Sequence, residues 1–366
     1  MLSVHQEWDP LKACVVGRNY PPEFYSFMQN PRLRNLFEKI AIETEEDYQG
    51  IITILEQFDV KVLRPTVPQV VPQEYIDQNM PIPAPVSSIP RDQMIMIGDQ
   101  FFVFPYTKIN RKLNFNWNQM KVKNFDSCWE DIVAYVQSQG NTVHRNEHDQ
   151  MLRWIKVNGI FRIGRDLFFG TKHRVEDREV LEAIAYMQDR WLQDYTVWPV
   201  TTGGHIDGCM NPLKPGLLFS IFDMDTYEHT FPGWEVEYFD TNRLNAMQGW
   251  MDLKLKNHGK WFIPGADKDD ELIAYVEHWL QEWLGYVEET IFDVNVLMID
   301  PKNVIVGSYN EQAFKALERH GITPHVAPMR HRFFWDGGTH CVTAELHREG
   351  QRQDWFPERS KDSQQC

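Results

Sequence analysis

Basic side chains are in short supply here: 37 lysines and arginines against 52 aspartates and glutamates leave a formal charge of −15. Phosphate recognition needs a basic face, so nucleic-acid binding is excluded as the main activity and a cationic small molecule becomes the better partner. Cysteine is sparse as well. The five cysteines, Cys14, Cys128, Cys209, Cys341 and Cys366, are odd in number and scattered, with no C-x-x-C pair. That argues against a disulfide framework or a cysteine-type zinc site and for a reducing compartment. No segment approaches the ~18 apolar residues of a membrane helix, and Met1 to Trp8 lacks the basic start and apolar run of a secretory leader. The expectation is a soluble, cytoplasmic protein with no membrane partner. Neither G-x-G-x-x-G nor a P-loop occurs, so a nucleotide cofactor has no support. His144 and His148 are spaced for one helix face, but no third ligand and no H-E-x-x-H order accompany them. No metal site is read.

What is present is a globular composition: 42% hydrophobic, 13% aromatic and 24% charged residues over 366 positions, enough to bury a sizeable core. Apolar runs predict strands at 11–16, 60–63, 94–97, 101–104, 159–170, 195–200, 217–221, 294–299, 304–306 and 325–327. Helical periodicity is expected from 44 to 55, 128 to 136, 176 to 191, 267 to 283 and 311 to 320, with a loop and then a polar helix over 21–38. Gly98-Asp99 between two of the runs signals a hairpin. The proline-rich stretch 65–90 can be neither helix nor interior strand, and its length makes it a candidate functional loop. The locally basic stretch 108–123, with Arg111, Lys112, Lys121 and Lys123, reads as a solvated face rather than a binding patch. Strand, strand, helix and strand recur with short connections. This points to repeated small α/β modules, not one long parallel sheet, although no exact repeat is visible.

Chemistry concentrates in two glycine-introduced stretches. Trp335-Asp336-Gly337-Gly338-Thr339-His340-Cys341-Val342-Thr343 places a thiol after two glycines and a histidine and before an apolar segment. Cys341 is expected where a flexible loop feeds a strand, with backbone able to approach a substrate and the sulfur reachable. Gly203-Gly204-His205-Ile206-Asp207 sets His205 and Asp207 on one side of an extended chain. Asp92 stands at the mouth of a strand. A thiol with an imidazole is the minimum for covalent catalysis. Two carboxylates in one pocket suit a planar guanidinium, whose charge would also favour the thiolate.

In chain order, Glu7-Trp8-Asp9-Pro10-Leu11, Val15-Val16-Gly17-Arg18, Ile89-Pro90-Arg91-Asp92, Arg162-Ile163-Gly164-Arg165-Asp166, His205-Ile206-Asp207, Asn295-Val296-Leu297 and Gly337-Gly338-Thr339-His340-Cys341-Val342-Thr343 resemble the amidinotransferases of the guanidino-group-modifying superfamily. Glycine amidinotransferase and inosamine-phosphate amidinotransferase are members of that family. The resemblance implies an α/β fold, a five-bladed α/β propeller (the pentein fold) of repeated ββαβ modules. It covers a single domain over 1–350, followed by a polar tail over 351–366. By the same resemblance Cys341 is the nucleophile, His205 the acid/base, and Asp92 and Asp207 the grip on the guanidinium, with Arg162 and Asp166 as further substrate-binding residues. No cofactor is implied. An amidino group would pass from a guanidine donor, arginine or an analogue, to an amine acceptor in a ping-pong cycle, and a homodimer is compatible with this. Two positions depart from the pattern. Lys156 stands where the resemblance places an acid that orients the histidine, unless a shifted register lets Glu147 or Asp149 serve. Phe222-Asp223-Met224-Asp225 lacks the arginine used for the donor's carboxylate, so the donor need not be ordinary arginine. Two alternatives stay open: a same-fold hydrolase in which water attacks the intermediate, and a binding protein that keeps the fold without turnover.

Overall fold

The run Leu-Lys-Ala-Cys-Val-Val, nearly all apolar, forms a buried central strand, β1 (Leu11–Val16). It lies in a computed structural model whose described residues are 1–71, 73–77, 86–104, 126–145, 151–152, 155, 157–171, 178–202, 205–221, 228–239, 293–335 and 337–357. The loop and two helical pieces expected after β1 are in fact one helix, α1 (Pro31–Gln57), preceded by a 3-10 turn. Asn30 starts it: the side-chain oxygen accepts from the N–H groups of Arg32 and Leu33, and Pro31 occupies the first position. Leu33, Phe37, Ile40, Tyr48, Ile51 and Leu55 make its buried face. The polar side chains of 31–38 had masked that face's first two turns. The chain then returns in β2 (Lys61–Leu63), parallel to β1.

This pattern recurs. The expected hairpin is β3 (Met94–Ile97) and β4 (Gln100–Val103), followed by helix α3 (Glu130–Ser138) and β5 (Thr142–Arg145), which pairs parallel with β4. The proline-rich stretch before it carries a short helix α2 (Gln73–Asp77) and 3-10 turns at Val86–Ser88 and Pro90–Asp92, where no helix was expected. Next come β6 (Ile160–Ile163), β7 (Asp166–Thr171), α4 (Arg178–Trp191) and β8 (Thr196–Thr201). Gly164 turns the β6–β7 hairpin at φ +63, and a Cβ there would lie 2.0 Å from the carbonyl oxygen of Gln353, so both backbone angle and space require glycine. The fourth unit is β9 (Met210–Lys214), β10 (Leu217–Ser220) and β11 (Glu235–Tyr238). The fifth is β12 (Leu297–Asp300), β13 (Asn303–Val306), α5 (Glu311–Arg319) and β14 (Thr323–Val326). After a short helix α6 (Arg332–Trp335), β15 (Thr343–Arg348) pairs antiparallel with β1, so the first sheet joins both ends of the described chain.

Among the described residues five three-stranded sheets result, each an antiparallel pair extended by one parallel strand. Three of the strands were not foreseen. Thr142–Arg145 and Glu235–Tyr238 are polar edge strands, and Met210–Lys214 contains a proline. His144 accordingly sits on a strand, not a helix, with its ring stacked on Phe102 and its Nε2 2.9 Å from Gln100 Oε1. Residues 108–123, 147–149, 156, 222–225 and 267–283, all named in the sequence reading, lie outside the described residues. No helix among the described residues is long and apolar enough to cross a membrane.

Side chains stitch each unit to the next. Arg91, just before β3, meets Glu345 on β15; Arg162 Nη1 on β6 donates to the Met96 carbonyl on β3 at 2.7 Å. Asn158 before β6 contacts His205 before β9, and Asn211 Nδ2 on β9 donates to the carbonyls of Val294 and Val296 before β12. Arg348 Nη2 on β15 donates to the Met298 carbonyl on β12 at 2.7 Å. Several of these links belong to one buried charge cluster. Glu7, Arg91, Arg162, Glu345 and Arg348 are each at most 2% exposed. Arg162 donates through Nε and Nη2 to the two oxygens of Glu7 at 2.8 and 2.7 Å, and its Nη2 also reaches Glu345 Oε2 at 3.1 Å. Burial alone would push the carboxyls of Glu7 and Glu345 up. The guanidinium of Arg162 on Glu7, and those of Arg91, Arg162 and Arg348 on Glu345, hold both below the ordinary 4.5, Glu345 well below it.

Breaking a buried ion pair typically costs about 3–5 kcal/mol, so Glu345→Gln should destabilise the protein by that order in chemical denaturation. The pH dependence carries a definite sign. A carboxyl held low in the folded state stabilises fully above the unfolded pKa and loses that contribution as pH falls through the folded one. Wild-type stability should therefore fall as the medium is acidified below about 4.3, and Glu345→Gln should narrow the difference.

Candidate active site

The glycine pair before Cys341 does more than loosen a loop. A Cβ on Gly338 would lie 2.5 Å from Asn295 Oδ1, so only glycine lets the turn lie against that side chain. The Val342 N–H donates to the Gly338 carbonyl at 3.2 Å, and the Thr343 hydroxyl donates to the carbonyls of Thr339 and His340 at 2.9 and 3.1 Å. The turn is thus tight, and it feeds β15 as expected. Cys341 itself is buried, 2% exposed, where an exposed loop had been expected. The close fit of the turn on Asn295 carries the sulfur inward.

Around the sulfur, Asn295 Nδ2 lies 3.0 Å away, and the thiol is 3.5 Å from Asp207 Oδ2. Asp207 belongs to a 3-10 turn, Ile206–Gly208, capped by His205. Its Oδ2 also lies 2.9 Å from His340 Nδ1, while His340 Nε2 lies 2.7 Å from Arg91 Nη2. Arginine can only donate, so Nε2 accepts and Nδ1 carries the hydrogen given to Asp207. Burial favours protonation of Asp207, yet the hydrogen bond from His340 and the charge of Arg91 hold its carboxyl below the usual range. Asp207 Oδ1 is buried and has no hydrogen-bond partner among the described residues. A buried carboxylate oxygen without a donor is costly, and a bound cationic N–H donor would satisfy it.

Asp92 ends the 3-10 turn Pro90–Asp92, and the N–H of Arg91 donates to the Cys341 carbonyl at 3.3 Å, tying this turn to the Cys341 loop. Asn158 Nδ2 donates to Asp92 Oδ1 at 2.7 Å and lies 2.9 Å from both ring nitrogens of His205. An amide N–H can be accepted only by an unprotonated ring nitrogen. Burial, and then the carboxylates of Asp207 and Asp92, push the Cys341 thiol well above its ordinary value; N–H donors from Gly338 and Asn295 work the other way.

The structure therefore brings Cys341, Asp207, Asp92 and His205 together. It does not bring Arg162 or Asp166 to them. The Arg162 guanidinium is taken up by Glu7, Glu345 and the Met96 carbonyl, and Asp166 accepts from the Trp198 indole; both serve the framework in place of the substrate contact expected. Lys156 is not among the described residues; among those that are, Asn158, two positions on, touches His205. Asn158, His340 and Arg91 were missed as site residues, although the latter two stand beside Cys341 and Asp92 in motifs already singled out. Among the described residues, two acid and histidine groupings have metal-type donors, Glu7 with His340 and Glu345, and Glu235 with Glu237 and His320. In the first, Arg91 and Arg162 already take the donor atoms, and in the second Arg319 grips both oxygens of Glu237 at 2.7 Å.

No family model matches the chain. Among curated proteins, it is 22% identical to the mitochondrial glycine amidinotransferase of Xenopus tropicalis, across 96% of this chain and 84% of that protein. It is likewise 22% identical to a putative inosamine-phosphate amidinotransferase of Streptomyces griseus, across 96% of this chain and 97% of the other. Its fold is that of a solved amidinotransferase of the saxitoxin biosynthetic pathway from Microseira wollei, with a TM-score of 0.63 at 18% identity, covering 97% of this chain and 99% of that one.

A thiol pushed up by burial and two carboxylates stays protonated at neutral pH. Alkylation of Cys341 by iodoacetamide, followed by peptide mass spectrometry, should accelerate only above the free-thiol value of about 8.5. A midpoint at or below that value would contradict the assigned surroundings.

Proposed function

We propose that this protein is an amidinotransferase that moves the amidino group of a guanidine donor to an amine acceptor through a covalent intermediate on Cys341. The observation that carries the proposal is the pairing of a thiol with a buried carboxylate, Asp207, whose Oδ1 has no donor among the described residues and whose Oδ2 lies 3.5 Å from the sulfur. A guanidinium presents paired N–H groups in a plane and suits such an oxygen. The Asp92 carboxylate adds its negative charge to the field at the thiol. The similarity to proteins named amidinotransferases, extending over nearly the whole chain, supports the same reading.

Cationic substrate bound between Asp92 and Asp207 offsets the two charges that hold the thiol protonated. The sulfur then attacks the guanidinium carbon, and the thiol proton passes by way of His205 to the departing nitrogen. The carbon–nitrogen bond to the donor breaks, the donor leaves as an amine, and the amidino group remains on sulfur. An acceptor amine attacks the same carbon, the carbon–sulfur bond breaks, and the acceptor's proton returns to the sulfur along the same route. Asn158, held between Asp92 and His205, keeps an unprotonated ring nitrogen facing it, which fits a histidine that begins the cycle by taking a proton. Protein groups supply every proton transfer in this scheme. We infer further that the five sheet units close into a five-bladed α/β propeller. The side-chain links run from first to second, second to third, third to fourth, fourth to fifth and fifth back to first, and this cyclic order supports the closure.

Incubation with arginine, or another guanidine, and a panel of primary amines tests the activity. Transfer yields ornithine and a new guanidine; citrulline with ammonia would instead mean hydrolysis and would overturn the proposal. In the same assay Asn158→Leu should lower kcat by about ten- to hundredfold, the usual scale for disturbing acid–base catalysis, with the folded state retained by circular dichroism.

A further inference from the structure

Asn295, two residues before β12, belongs to no part of the scheme above, yet it is among the most enclosed polar side chains of the described residues, 0% exposed. Its two side-chain polar atoms and its carbonyl are engaged at the site. Oδ1 accepts the Cys341 main-chain N–H at 3.0 Å, and the Asn295 carbonyl accepts from the His340 N–H at 3.4 Å. Nδ2 faces three acceptors: the Asp207 carbonyl at 3.1 Å, Asp207 Oδ2 at 3.3 Å and Cys341 Sγ at 3.0 Å. The carboxamide plane is also fixed by Gly338, since any larger residue there would collide with it.

We propose that Asn295 is a further catalytic residue of this site, the side-chain donor that holds the Cys341 sulfur in place and stabilises it when the thiol proton leaves. With the thiol protonated, its hydrogen points to Asp207 Oδ2 and the sulfur's lone pairs accept from Nδ2. Once the proton has gone, the sulfur carries the charge, and the same N–H becomes a donor to an anion, which is about twice as strong as a neutral contact. Its gain comes in the ionised state, so it opposes the two carboxylates at the step where the nucleophile forms. One side chain thus serves two jobs. Oδ1 fixes the backbone of the nucleophile, and Nδ2 spans the nucleophile and the carboxylate that awaits the guanidinium. Aspartate at this position would keep the shape and the acceptor while replacing the donor by a negative charge facing both Asp207 and the sulfur.

The inference rests on Cys341 being the nucleophile, and its test reads the thiol without needing turnover. In Asn295→Asp, and less strongly in Asn295→Ala, the pH profile of Cys341 alkylation by iodoacetamide should move to higher pH, with the rate at a fixed pH falling by about tenfold or more, the effect of one pKa unit, and kcat for transfer falling with it. An unshifted alkylation profile in a folded Asn295→Asp protein overturns the donor role while leaving the proposed function standing. Retention of transfer by Cys341→Ser would instead overturn the function. Should both Asn295 variants fail to fold, the wild-type protein supplies the measurement: the Asn295 side-chain amide resonances should titrate together with Cys341 alkylation and lose that titration in Cys341→Ser. Amide resonances that do not respond to the thiol would refute the proposal.

Discussion

At the centre of the fold three carboxylates and three guanidinium groups neutralise one another away from water. Glu7, Glu345 and Asp207 supply the negative charges, Arg91, Arg162 and Arg348 the positive ones, and His340 links Asp207 to Arg91. Burying such groups is expensive unless every partner is present, so the cluster demands that distant pieces of chain arrive together. Its members come from the N-terminal segment, the 3-10 turn before β3, β6, the turn before β9 and β15. Hydrophobic packing fills the space between sheets, but it is indifferent to register on this scale. The charge cluster is what discriminates.

That balance reaches into the site. His340 is spent on Asp207, and Arg91 is spent on His340 and Glu345, so the cations nearest the thiol are already engaged by internal acids. Asp92, outside this set, adds its negative charge to the field at Cys341. The pocket around Cys341 therefore calls for a cation, and the thiol remains protonated until one arrives. Under the proposed function, recognition and activation become one event, because the same charge that fits between the carboxylates lowers the cost of ionising the sulfur.

Much of this was legible in the sequence because short-range physics wrote it. Apolar runs and glycine turns located β1, the β3–β4 hairpin, α4 and α5 to within a few residues, whereas the single strand expected over 159–170 is two, β6 and β7, turned at Gly164. The four principal site residues stood in recognisable spacings. What escaped depends on contacts far apart in the chain. Arg162 looked like a substrate contact until Glu7, 155 positions away, was seen to hold it, and Asn158 carried no signal because an amide in a loop is ordinary until a histidine 47 residues on lies against it. The polar edge strands escaped for a different reason: with one edge unpaired and faces partly solvated, they need no apolar alternation.

The central claim is that the amidino group spends part of the cycle on the Cys341 sulfur. Incubating the protein with a guanidine donor and no acceptor, quenching in acid and mapping the peptides by mass spectrometry tests this directly. The account predicts a mass gain of one amidino group on Cys341, discharged when an amine is added. Product formation with no such adduct, or an adduct of equal yield in Cys341→Ser, would contradict it.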